Sequence, residues 1–404
     1  MKKNKSKQIL RNGLLLFSTL VFQITFGQEI KTETSPPQIE TDTIKVFEHD
    51  YITGGAKVTY PTFKLGGVFQ ARYLNNFKTN VDVNGLQHSD GSGTSNTFDI
   101  KRMRVSLNVK VSQDLEVVVL TNFADFKSDP RTKVLENAYA RYSLNRYAQI
   151  TIGQFRPLFG REETYSVDII KSIDYSNSYY LFGPLGWTSF QIGGAITGNV
   201  DIGSKMGLNY GFSVVNGNGK NKIDSDDGKN YSSRILLDID KTRGFSIGIS
   251  GGIAEVEKQK SHAYGVEAAL TIPLANKWSV DFQTEAKRAT NHTLFFGTAP
   301  INRLGELNDY IVNSFYILPN IRYEIGLKRL QAIEFACRYE ILDENSKLDS
   351  NPRQTWVPML SFEFIKDYKA RLQIGMQIDN YKHNFENTTK YNSNLAFVQL
   401  QCRL

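Results

Sequence analysis

Lys205-Met206-Gly207-Leu208-Asn209-Tyr210-Gly211-Phe212-Ser213-Val214 is the stretch on which the fold turns. Met206, Leu208, Tyr210, Phe212 and Val214 fall on one face, and Lys205, Gly207, Asn209, Gly211 and Ser213 on the other. A period of two sends successive side chains to opposite faces of a strand. The pattern recurs where Trp278, Val280 and Phe282 alternate with Ser279, Asp281, Gln283 and Glu285. It recurs again where Leu372, Ile374, Met376 and Ile378 alternate with Arg371, Gln373, Gly375 and Gln377. About sixteen such stretches run from 63–74 to 394–404, with no long amphipathic helix among them.

The connections carry the next step. Tight turns such as Leu144-Asn145-Arg146 and Asp240-Lys241-Thr242-Arg243 follow the even-numbered strands. The odd-numbered strands are followed by longer segments, the longest being 75–97, 157–186, 216–230 and 288–311. A soluble sandwich gives alternation but needs no such asymmetry between its two ends. A bacterial transmembrane barrel has short periplasmic turns and long external loops, with lipid outside and a polar interior. The sequence therefore predicts an all-β chain, a 16-stranded antiparallel transmembrane β-barrel over residues 61–404. Both termini would lie on the periplasmic side. The final strand sets Ala396, Val398, Leu400, Cys402 and Leu404 on its lipid face.

Residues 1–27 read as an export signal. Lys2, Lys3, Lys5, Lys7 and Arg11 precede an apolar run from Leu14 to Phe26, and the expected cut follows Gly27. Residues 28–60, with Pro36-Pro37, read as a flexible periplasmic arm. The 48 lysines and arginines outnumber the 41 acids, but five of the bases sit before residue 28, which leaves 43 against 41. The basic charge is thus no argument for nucleic acid as a partner. Mean hydropathy is only −0.35, because half of every strand is polar. The two cysteines, Cys337 and Cys402, take lipid parity in strands that are not neighbours and read as unpaired. The five histidines stand beside no nucleophile motif, and there is no metal-ligand spacing or phosphate-cradling glycine loop. No catalytic residue, metal or cofactor is expected, and the chain does not read as an enzyme.

The interior is where chemistry is expected. Arg102, Arg104, Ser106, Asn108 and Lys110 share the interior face of the second strand, while Val105, Leu107 and Val109 face lipid. The same parity adds Lys64 and Arg72 from the first strand and Arg141 from the fourth. Bases along one wall of a pore create a positive field that low-dielectric walls focus. Arginine offers a fork of donors matched to phosphate or carboxylate oxygens. Asp238, Glu267, Asp281, Glu285, Glu324, Glu334, Glu340, Glu363 and Asp379 take interior parity in strands 8 to 15. A basic wall facing an acidic one is therefore expected.

Two motifs carry a resemblance. The cluster Lys101-Arg102-Met103-Arg104 and the tract Ile152-Gly153-Gln154-Phe155-Arg156-Pro157-Leu158-Phe159-Gly160-Arg161-Glu162 resemble the phosphate-selective porin family, the O and P porins. The resemblance implies an outer-membrane homotrimer of sixteen-stranded barrels, each with its third external loop folded inward. It makes Lys101, Arg102 and Arg156 bases of the constriction. It makes residues 161–181, with Arg161, Glu162 and Lys171, the constriction loop. The expected function is passive diffusion of small hydrophilic solutes, anions such as phosphate foremost, with outer-membrane lipid around the barrel. The alternatives are a general diffusion pore or a surface adhesin. By strict alternation Lys101 and Arg156 face lipid, so each either sits at the rim or is re-aimed by a bulge. Tyr165, Val167, Ile169, Ile170, Ile173 and Tyr175 make 161–181 too apolar for a freely solvated loop.

Overall fold

The computed structural model describes residues 59–224 and 226–404. The expected signal, residues 1–27, and nearly all of the expected arm, 28–60, lie outside the described residues. Sixteen strands close into one antiparallel barrel. They are β1 (Thr62–Asn76), β2 (Asn96–Lys110), β3 (Leu115–Asn122), β4 (Leu135–Asn145), β5 (Ala148–Phe155), β6 (Gln191–Ile202), β7 (Met206–Val215) and β8 (Asn230–Asp240). The other half comprises β9 (Phe245–Val256), β10 (Gln259–Pro273), β11 (Trp278–Thr290), β12 (Ile311–Leu327), β13 (Leu330–Asp343), β14 (Arg353–Ile365), β15 (Ala370–Tyr381) and β16 (Ser393–Arg403). Each strand pairs with its sequence neighbours, and β1 closes on β16 from Val68↔Arg403 to Asn76↔Leu395. Closure leaves no edge strand with unpaired backbone groups, the condition for spanning lipid.

The two faces differ as the alternation requires. Ile152, Phe212, Ile249, Phe335 and Ile374 are exposed outward, whereas Gln70, Gln373, Gln399 and Gln401 are fully buried inside. Cys337 and Cys402 are free thiols. Pro319 and Pro358 sit inside strands, and the β12–β13 and β14–β15 ladders each skip the proline, because proline has no N–H to give.

Short turns 146–147, 241–244 and 328–329 join even strands to the next odd ones. At 241–244 the Asp240 side chain accepts from the Thr242 amide at 3.0 Å, and Gly244 takes φ 55° to start β9. The short/long rhythm has one exception. β9 and β10 run to Val256 and from Gln259, so only Glu257 and Lys258 join them, and the expected longer external segment is absent there. Both residues have positive φ, 49° and 63°, as a two-residue hairpin turn demands. The sequence hides this turn because neither residue is glycine or asparagine. The charges of Glu255, Glu257, Lys258 and Lys260 also blur the alternation.

Among the described residues three short α-helices lie in the connections: α1 (Pro130–Lys133), α2 (Asn177–Phe182) and α3 (His292–Gly297). Residues 156–190 between β5 and β6 form the longest connection, and most of them are buried.

Candidate functional site

The segment 156–190 is held by apolar and polar contacts to strands far from its own. Phe159, Phe182, Leu185 and Trp187 pack with Ala254, Ala263, Ala289, Val312 and Leu342 of β9 to β13. Small wall residues make the room: a Cβ on Gly252 would collide with the Trp187 indole. Ile173 packs with Leu74, Tyr316, Leu318, Ala336, Val357, Met359 and Phe397. Val167, Tyr175 and Tyr179 pack with Val68 of β1.

Polar contacts fix the register. The Arg161 amide donates to Glu285 at 2.7 Å, and its guanidinium lies 3.6 Å from Glu267. Glu162 accepts from the Ser176 amide at 2.7 Å, and Lys171 meets Asp281 at 2.5 Å. Glu340 accepts from the amides of Asn177 and Ser178 at 3.0 and 2.9 Å, which ties α2 to β13. Arg371 donates to the Ile170 carbonyl at 3.1 Å, Gln401 to that of Asp168 at 2.8 Å, and Arg338 to that of Asp174 at 2.6 Å. Arg161, Glu162 and Lys171 are all buried. Arg161 and Lys171 spend their charges on the wall, and Glu162 ties Ser176 within the segment.

The basic cluster of β2 is reshaped by a bulge. Gln70 pairs with Arg102 but Ala71 pairs with Ile100, so Lys101 is the extra residue. The bulge answers the parity question for Lys101: its ammonium reaches Asp174 at 3.0 Å, beside Arg102 at 2.7 Å. It also turns Asp99 to the interior, where Arg72 meets it at 3.0 Å and Lys127 completes the group. Four cations, Arg72, Lys101, Arg102 and Lys127, thus share two carboxylates, Asp99 and Asp174. Burial by itself would raise the Asp174 carboxyl. Arg102 and Lys101 beside it instead hold it well below the usual carboxylate range.

The other predicted bases have different partners. Arg104 pairs with Glu136 at 2.7 Å, and Lys220 approaches the same carboxylate at 3.9 Å and Asp125 at 3.5 Å. Arg141 pairs with Glu116 at 2.9 Å and lies over the Tyr139 ring. Arg156 lies just past β5. It donates to the Tyr165 carbonyl at 2.7 Å and the Tyr175 hydroxyl at 2.8 Å, with its face on Phe190. Glu163 stands 3.9 Å from Arg156 and accepts from the Ser189 amide at 2.7 Å. Burial pushes its carboxyl up to about 8. Lys64 and Lys110 are exposed, in register with Asn108 and Thr62 on the β1–β2 ladder. Neither has an ion-pair partner among the described residues.

Most of the acids expected on strands 8 to 15 are met by bases on the same strands. Arg234 meets Glu267 at 2.5 Å, and Lys287 meets Glu285 at 3.1 Å. Arg322 meets Glu363 at 2.5 Å and Glu334 at 3.2 Å, and Arg353 meets Asp379 at 2.8 Å. Buried carboxylates need paired cations to offset their lost hydration. The arginines had the right parity in the sequence and could have been found there. Asp174, Lys127 and Lys220 could not, because they arrive from connections with no parity to read.

A barrel of this plan, with a basic cluster on its second strand and a tied-in fifth connection, can be set against known proteins. The family model described as phosphate-selective porin O and P matches residues 75–317. The chain belongs to that family. It is a porin of the bacterial outer membrane, where it forms a channel. No curated protein matches the chain. Among solved structures, the outer membrane channel DcaP of Acinetobacter baumannii is 15% identical, with a TM-score of 0.53 over 87% of this chain and 99% of that one. The anion-selective porin from Comamonas acidovorans is 8% identical, with a TM-score of 0.54 over 85% and 100%. The in-vitro folded trimer form of OmpT from Vibrio cholerae is 9% identical, with a TM-score of 0.51 over 86% and 100%. At these identities the likeness to this porin lies in the fold.

Proposed function

We propose that the chain is a passive channel for small hydrophilic solutes with a preference for anions, phosphate among them. In this reading segment 156–190 lies across the lumen as its constriction, and Lys101, Arg102 and Arg72 line the opening it leaves. Lys64, Lys110 and Arg141 extend the basic wall, with Arg104 and Arg156 behind it. The observation that carries the proposal is the excess of charge: four cations against two carboxylates where Asp174 of the segment meets β2. The family's description and the anion selectivity of the Comamonas porin support it. Conduction needs binding weak enough to release the ion, and cations partly neutralised by Asp99 and Asp174 provide that. The channel needs no cofactor and performs no reaction.

A general diffusion pore is the second reading, favoured by the mixed charges on β8 to β15, where bases pair with acids instead of forming a second basic wall. We further propose that the channel works as a homotrimer, as the trimer form of OmpT suggests, and that residues 1–27 are removed on export. Planar-bilayer recording tests the main reading. Open-channel steps are expected, with a reversal potential in a KCl gradient that favours chloride. A pore that favours potassium overturns the anion preference, and absence of steps overturns the channel.

A further inference from the structure

Of the aromatic side chains of segment 156–190, Tyr180 alone is exposed, and Tyr165 is half-buried. Tyr175, Tyr179, Phe182, Trp187 and Phe190 are buried, while Tyr180 is 46% exposed. The cause lies in how α2 docks. Its first amides are bound by Glu340, the Asn177 side chain donates to Thr355 at 2.9 Å, and Phe182 packs on Phe159 with centroids 6.1 Å apart. Those contacts commit one side of this short helix to the wall and leave Tyr180 on the other. Its hydroxyl is nevertheless fixed, donating to Asp174 at 2.6 Å and accepting from Arg102 at 3.2 Å. Tyr179 holds the ring edge-on at 5.5 Å and 89°. The Lys101 ammonium lies 5.6 Å from the ring centroid.

The result is a locked, half-exposed aromatic face beside a cluster with surplus positive charge. A small inorganic anion engages only the charge. An anion with a planar apolar body engages the charge with its carboxylate and the ring with its body. The ring is already ordered, so little further freedom is lost on contact. We infer that Tyr180 is a specificity-determining residue, and that the pore favours carboxylates bearing an aromatic ring over aliphatic carboxylates and inorganic phosphate. This rests on the anion-channel reading and narrows it to a class of solute.

The test uses the full chain in planar bilayers, with chloride as the current carrier and benzoate, acetate and phosphate as blockers. Benzoate is expected to half-block at a concentration about fivefold below that of acetate, the size of one aromatic contact. Tyr180→Ala should bring the benzoate half-block concentration to the acetate value measured in the same variant. Tyr180→Phe keeps the ring while losing both hydroxyl bonds, and should keep the benzoate preference. This variant separates the role of the ring from loosening of the segment. Equal block by benzoate and acetate in the native channel overturns the inference, as does a benzoate preference that survives Tyr180→Ala. The KCl reversal potential of the same bilayers reads the underlying proposal separately. An anion-selective pore without benzoate preference rejects only this inference, whereas a cation-selective pore rejects both.

Discussion

Replacing Asp174 by Asn should make the channel more selective for anions. The native cluster sets four cations against Asp99 and Asp174, and the substitution leaves four against one. An ion passing about 7 Å from the lost carboxylate through water would feel about 0.6 kcal/mol from it. Salt at physiological strength roughly halves that energy. About 0.3 kcal/mol raises local anion occupancy by a factor of about 1.7 and lowers that of cations by as much. The permeability ratio of chloride to potassium should therefore rise roughly threefold, and more where low-dielectric walls replace water. Asn keeps an oxygen that can accept from Arg102 and Tyr180, and the Arg338 bond goes to the backbone carbonyl, so the segment should stay docked. The assay is the reversal potential in a tenfold KCl gradient, with single-channel conductance as the check on docking. An unchanged ratio at unchanged conductance would refute the reasoning, because it would place Asp174 away from the ion path.

The contacts imply further outcomes. Trp187→Ala removes a fully buried indole from the anchoring cluster and should weaken docking of 156–190 by about 3–5 kcal/mol, read as noisier open-channel current and new proteolytic cleavage within the segment. Arg102→Ala should shift the reversal potential toward cations, whereas Glu340→Gln should loosen α2 and disturb conductance more than selectivity, because Glu340 binds two amides of the segment. The Glu163 carboxyl, pushed by burial from 4.5 to about 8, binds a proton in the docked segment that a free one would release. Docking should therefore be strongest below about pH 4.5 and weaken as pH rises through 8, with current noise growing over that range and Glu163→Gln abolishing the change. His292, pushed by burial from 6.5 to about 4, has the opposite sense: packing of α3 is fully present above pH 6.5 and is lost as pH falls through 4, which hydrogen exchange over residues 291–310 can follow.

The barrel was legible because its signal is local and repeated. One face of each strand meets lipid and the other the interior, so the period of two is written into every strand, and a one-residue slip would reverse it. The segment Lys205 to Val214 alone shows it, and within β7 Gly207 and Ser213 are buried while Phe212 is exposed. The turns at 146–147, 241–244 and 328–329 were legible for the same reason. The β9–β10 turn was not, because Glu257 and Lys258 adopt positive φ without the residues that usually announce it. The arginines of β8 to β16 were legible by parity and were passed over in favour of the acids they neutralise.

The sequence by itself determined the strand number and the family, and by parity it marked Arg72, Arg102, Arg104 and Arg141 among the residues whose ion pairs the structure shows. It marked 161–181 as too apolar for an open loop. The tertiary structure alone decided where that segment binds and what its charges do. Lys101 is aimed at Asp174 by a bulge seen only as a register shift against β1. Lys127 and Lys220 reach their carboxylates from connections that carry no periodicity. Tyr180 is left exposed because its neighbours in α2 are used up on β13, β14 and the aromatic cluster. Parity along a strand fixes a direction for each side chain, but the net charge of a site depends on which groups meet across the barrel, and that is a property of closure.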